Sequence, residues 1–99
     1  VLADYIIRVV LHGATSTHYA VLHKRMIDGG ARRTITGTDG VQYDLPDGEY
    51  VLTSSLRADQ IRDAVVDIAR AAKASPDPSV IVAAYGPIAW QLRPVPGQS

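Results

Sequence analysis

An α+β domain is what the sequence predicts, and three observations carry that expectation. Short β-branched runs alternate with two segments of helical apolar spacing in the order strand, helix, strand, strand, helix, strand. The chain has 99 residues, one domain's worth, and buries roughly 60–70% of the surface an unfolded chain exposes. It contains no cysteine, so one core must hold it without disulfides or a thiolate metal site.

Asp4–Leu11 (DYIIRVVL) opens as a strand, with Ile7, Val9 and Leu11 on one side and Ile6, Arg8 and Val10 on the other. Gly13 breaks it, and Thr15, Ser16 and Thr17 offer hydroxyl caps to a helix over Thr17–Asp28. Tyr19, Leu22 and Met26 form that helix's apolar stripe, and Gly29-Gly30 stops it. Arg32–Thr38 alternates as a second strand. A turn at Thr38-Asp39-Gly40 leads to a hairpin arm over Val41–Leu45. Pro46-Asp47-Gly48 has the composition of another turn, and Glu49–Ser54 (EYVLTS) is the next strand. Ser54 or Ser55 is placed to cap a second helix over Arg57–Ala74, whose stripe is Ile61, Val65, Ile68 and Ala72. Arg70 and Lys73 near its end suit the helix dipole. Pro76-Asp77-Pro78 forces an extended link to the apolar strand Ser79–Tyr85. Ile88–Arg93 can add one more extended piece.

Two amphipathic helices should share one sheet face, and right-handed crossovers then give a ferredoxin-like βαββαβ arrangement. The expectation is an antiparallel four-stranded sheet with two helices on one face, in a single domain over residues 1–93. Residues 94–99 follow as a flexible tail. The opposite face would present Ile6 and Val10, and exposed apolar surface of this kind points to a homodimer through the sheet or through exchange of Ile88–Arg93.

Ten basic residues balance ten acidic ones, so no net charge draws the chain toward a polyanion. The distribution is uneven. Arg8, Lys24, Arg25, Arg32 and Arg33 fall early, and Asp39, Asp44, Asp47 and Glu49 follow without an intervening base. Two solvated surfaces are the plain reading. A basic patch for a polyanion beside an acidic hairpin is the sharper one. No apolar stretch approaches the ~20 residues of a membrane span. The N-terminus lacks a basic region, apolar run and cleavage site in series, so neither a membrane role nor a signal peptide is expected. With no cysteine, the location that fits is cytoplasmic.

A strand-one carboxylate metal site is not expected, because that strand ends Val9-Val10-Leu11-His12 and Asp4 lies at its far end. No cofactor is expected. The histidines at 12, 18 and 23 lack the i, i+4 spacing of a helical metal pair. They suit either ordinary surface roles or metal-free RNA cleavage, in which imidazole moves a proton and a neighbouring base steadies phosphate. His23 is the candidate catalytic residue, since Lys24 and Arg25 follow it directly. Arg8, Lys24, Arg25, Arg32 and Arg33 are the candidate RNA-binding residues. Tyr5 and Tyr50 sit on the expected central strands without the glycine-aromatic consensus of an RNA-recognition motif. Trp90 is expected as a packing or dimer anchor.

The stretch Asp4–Leu56 resembles the GhoS-type antitoxin family. The likeness lies in Tyr5-Ile6-Ile7, the Ser/Thr-rich cap, the helix with Tyr19, Leu22 and Met26, then Asp28, Gly40 and Leu45, and above all Tyr50-Val51-Leu52-Thr53-Ser54-Ser55-Leu56. The second helix matches in pattern only. The resemblance implies a ferredoxin-like fold similar to that of small CRISPR-associated adaptation proteins. It also implies an endoribonuclease that cuts a toxin transcript. The chain departs from the family pattern in two places: His23 stands at a basic first-helix position, and Val10 stands where an acid can occur. A non-catalytic homodimeric interaction module is the second reading.

Overall fold

A computed structural model describes residues 1–98. The element order is β1 (Ala3–Val10), α1 (Ser16–Asp28), β2 (Thr34–Thr36), β3 (Gln42–Asp44), β4 (Glu49–Ser54), α2 (Ala58–Ala72) and β5 (Ser79–Ala84). This is the expected α+β class, with three strands rather than two between the helices and both helices within two residues of their expected bounds. The sheet differs from expectation. Instead of one four-stranded sheet there are five strands in two antiparallel sheets, a three-stranded β4-β1-β5 and a two-stranded β2-β3. The chain bends at Arg33, directly after an isolated bridge between Arg32 and Val51. That bridge makes both backbone hydrogen bonds, Arg32 N–H to Val51 O (2.8 Å) and Val51 N–H to Arg32 O (2.9 Å). Past the bend β2 turns away from β4 and pairs with β3 alone.

Strand alternation decides which side of the sheet is sealed. Tyr5, Ile7, Val9 and Leu11 are buried against Leu22 and Met26 of α1 and Ile61, Val65 and Ala69 of α2. Both helices therefore cover the same face. Ile7, Leu22 and Tyr50 are completely buried, and each apolar side chain of this kind contributes about 1.5–3 kcal/mol. α1 starts where His18 folds back, its Nδ1 accepting the Thr15 N–H at 3.0 Å. It ends where Gly30 takes a left-handed conformation (φ +97°). α2 is capped differently from expectation. Arg57 is the N-cap residue, and its N–H donates to Gln60 Oε1 (3.0 Å), while Ser54 Oγ accepts from Leu56 N–H one turn earlier.

The other face is covered only in part. Val51, Ile35 and Leu45 form a second small core, packed by Tyr43, Tyr85, Trp90 and Leu92. Trp90 meets Tyr43 edge-on, with ring centres 5.8 Å apart. Ile88–Arg93 forms no strand and serves as the cover of this core. The segment expected as a loose tail runs beside β3. Asp44 N–H donates to Arg93 O, Val95 N–H donates to Gln42 O, and the Gln98 amide donates to Gln42 O and Val95 O. Ser99, the last residue of that tail, lies outside the described residues. Beside this cover Ile6 and Val10 remain half-exposed, and Ile81 is 65% exposed. No helix among the described residues is long and apolar enough to cross a membrane.

Candidate functional site

One end of the helix-covered face gathers polar groups from four elements. α1 supplies Tyr19 and His23, the bend before β2 supplies Arg33, the β3–β4 turn supplies Asp47, and β4 supplies Tyr50. Tyr50 points to the helix side because it pairs with Ile7, and paired residues share a face. It meets His23 there, with Tyr50 Oη 2.5 Å from His23 Nδ1 and ring centres 5.8 Å apart. Tyr19 also lies beside His23, with ring centres 6.1 Å apart, and its Oη accepts the Leu11 N–H at 3.0 Å.

The turn that carries Asp47 is held close to β1. Val9 N–H donates to Gly48 O at 2.7 Å. Gly48 has φ +80°, and a Cβ there would collide with the Val9 carbonyl oxygen. Only glycine satisfies both conditions. So fixed, Asp47 places one carboxylate oxygen, Oδ1, 3.0 Å from Arg33 Nη2 and 4.0 Å from His23 Nε2. Arg33 Nε is buried and has no hydrogen-bond partner.

Burial and charge act together on the imidazole. The His23 side chain is only 15% exposed. Burial, and then the Arg33 guanidinium, push its pKa below the usual 6.5, against a smaller upward pull from Asp47. The ring is therefore neutral at pH 7, with one nitrogen held by Tyr50 and the other 4.0 Å from Asp47. Burial pushes the Tyr50 phenol up to about 12, so it remains a neutral partner to the ring.

The other sequence candidates do not converge on this cluster. Lys24 pairs with Asp28 at 3.2 Å, and with Arg25, Thr17, Ala20 and Val21 it lines a shallow hollow on the solvent side of α1. Arg8 lies on the uncovered sheet face, paired with Glu49 at 2.6 Å. Arg32 lines a hollow on that same face, with Asp4, Val51 and Tyr85 among its neighbours. Of the six residues singled out from sequence, only His23 and Arg33 belong to this cluster. The other two histidines have separate partners: His12 Nε2 meets Ser79 Oγ at 2.8 Å, and His18 caps α1. Tyr50, Asp47 and Tyr19 were missed as site residues. The signal for Tyr50 was present, since strand parity sets it on the same face as Ile7. Among the described residues no group of three or more His, Cys, Asp or Glu side chains gathers into a possible metal cluster.

A family model described as Endoribonuclease GhoS matches residues 1–87. The chain belongs to the GhoS family. The match spans β1 to β5 and both helices, so every residue of the His23 cluster lies inside it. The segment that covers the second core, from Ile88 onward, lies beyond the GhoS match. No curated protein matches the chain.

Proposed function

We propose that this GhoS-family chain is an RNA-cleaving endoribonuclease of antitoxin type, with His23 as its proton-transfer residue. The observation that carries the reading is a neutral, shielded imidazole whose Nδ1 is held by Tyr50, while its Nε2 lies 4.0 Å from the same Asp47 oxygen that Arg33 holds at 3.0 Å. With the ring proton on Nδ1 and donated to Tyr50 Oη, Nε2 keeps its lone pair for a substrate proton. Nε2 takes the proton of a ribose 2′-hydroxyl, and the freed oxygen attacks the adjacent phosphorus. The bond to the 5′ oxygen breaks, and that oxygen takes a proton from water. The products are a 2′,3′-cyclic phosphate and a 5′-hydroxyl. Arg33 offsets charge on the phosphate oxygens as it builds. The imidazolium formed at His23 then returns its proton to solvent.

The test is incubation of purified protein with several transcripts, followed by analysis of the ends. Cyclic phosphate and 5′-hydroxyl ends that vanish in His23→Gln are expected. RNA that stays intact, or is cut equally by His23→Gln, overturns the reading.

Two further parts belong to the same proposal. The order β5-β1-β4, extended to β2 through the Arg32–Val51 bridge, supports a ferredoxin-like plan in which β2 has swung outward. The exposed Ile81, beside half-exposed Ile6 and Val10 on the uncovered face, favours a homodimer, and with it the alternative of an interaction module. Light scattering on a gel-filtration peak separates the dimer from a monomer. Co-purification of nucleic acid rather than protein favours the nuclease over the module.

A further inference from the structure

One oxygen atom, Asp47 Oδ1, lies between the two groups that a phosphate would need, at 3.0 Å from Arg33 Nη2 and 4.0 Å from His23 Nε2. We propose that the Asp47 carboxylate is a resident stand-in for the substrate phosphate, occupying its position between Arg33 and His23 and yielding it when an RNA phosphodiester binds. The inference rests on reading this cluster as a phosphodiester site and adds to it a residue that opposes binding.

Three features support displacement over a permanent ion pair. Asp47 is 81% exposed at the tip of the Pro46-Asp47-Gly48 turn, so its side chain can swing into water without disturbing packing. An exposed pair of this kind is weak, because water screens it. Asp47 also serves Arg33 incompletely: it takes one N–H of Nη2, while the buried Nε finds no acceptor. A phosphodiester presents two non-bridging oxygens and can engage a guanidinium at two donors, which a carboxylate in this pose does not do. The free protein thus holds Arg33 partly satisfied and in place. The anion position is kept from small anions and opened to a ligand that brings additional contacts along the chain of nucleotides.

The test compares wild type with Asp47→Ser, a neutral side chain that suits the same turn, after thermal melts establish that both fold. Binding is read by nuclear magnetic resonance from the His23 ring signals, titrated with inorganic phosphate and with a dinucleotide whose 2′-oxygen is methylated and cannot be cleaved. Asp47→Ser should bind the dinucleotide about twofold to fivefold tighter, the span expected for removal of an exposed ion pair. The gain should disappear when Arg33→Ala is added. Unchanged or weaker dinucleotide binding in Asp47→Ser overturns the proposal, as does a gain that survives Arg33→Ala. A gain for inorganic phosphate alone overturns the phosphodiester assignment. Because the probe cannot be cut, a failure of cleavage elsewhere leaves this outcome readable by itself.

Discussion

The two faces of the three-stranded sheet are flanked by charged side chains that are used differently. On the uncovered face Arg8 is matched by Glu49 across the β1–β4 pair, and Arg32 sits near Asp4 in an open hollow. Arg8, Arg32 and Asp4 there are exposed to solvent. On the helix-covered face the charges lie at one end, where Arg33 and Asp47 border an imidazole that burial has shielded. The difference shows why counting basic residues along the chain is a poor guide to a site. What perturbs an ionisable group is a low-exposure setting with a charge a few ångströms away. At His23 the second face supplies both.

The largest effect should come from breaking the shielded cluster itself. His23→Ala is expected to lower RNA cleavage by about 10²–10⁴-fold, the usual contribution of one acid–base group. Arg8→Ala on the other face should leave the rate within a few-fold, as single-turnover assays would show. Equal losses in both variants would erase the distinction between the faces. The cores should differ in the same sense. Leu22 is completely buried between the helices and the sheet, so Leu22→Ala should cost about 2–5 kcal/mol in chemical denaturation. Leu92 only partly covers the second core, and Leu92→Ala should cost about 1 kcal/mol.

Smaller effects sharpen how the imidazole is held. Tyr50→Phe keeps the buried ring and removes the hydroxyl, leaving His23 Nδ1 without its partner. A loss of about 1 kcal/mol in stability is expected, with a larger fall in turnover than in RNA binding. The pH dependence has a definite sign. The folded protein holds the His23 pKa below 6.5, so it favours the neutral ring more than the unfolded chain does. The stability this contributes is fully present above 6.5 and is lost as pH falls through the lower, folded-state value. The acid limb of cleavage should follow that lower value. A limb centred at or above 6.5 in wild type would contradict the shielding.

How much of this was legible in the sequence follows from where each interaction reaches. β1, β4, β5 and both helices follow from periodicity over neighbouring residues, and the outward placement of Ile6 and Val10 followed from parity alone. The split of the sheet did not, because the bend at Arg33 becomes visible only once β4 has paired with β1 and β2 must pass its edge. The docking of 94–98 depends on Gln98 meeting Gln42, 56 positions apart, and nothing local in a Pro/Gly-rich end announces it. The site was half legible for the same reason. His23 was singled out for the bases that follow it in sequence. Yet Lys24 and Arg25 sit about 100° and 200° round the helix from it. Its real partners arrive from 24 and 27 positions downstream, Asp47 by way of a turn and Tyr50 by way of a strand.

That contrast gives the smallest and most discriminating expectation. Lys24 is tied to Asp28, and with Arg25 it lies on the solvent side of α1, away from the imidazole. Their charges can attract a polyanion only through water and salt. Replacing both with alanine should weaken RNA binding at low salt by a few-fold and reduce the salt slope by up to about 2, one for each phosphate contact removed. The difference should shrink toward nothing as ionic strength rises, since screening acts first on exposed charges. Arg33→Ala should behave otherwise. Its Nε is buried and its charge acts on the half-hidden imidazole, so its loss should persist at high salt and should also let the His23 pKa rise toward its ordinary value. Measured side by side across a salt series, the two variants separate a steering surface from a reacting one.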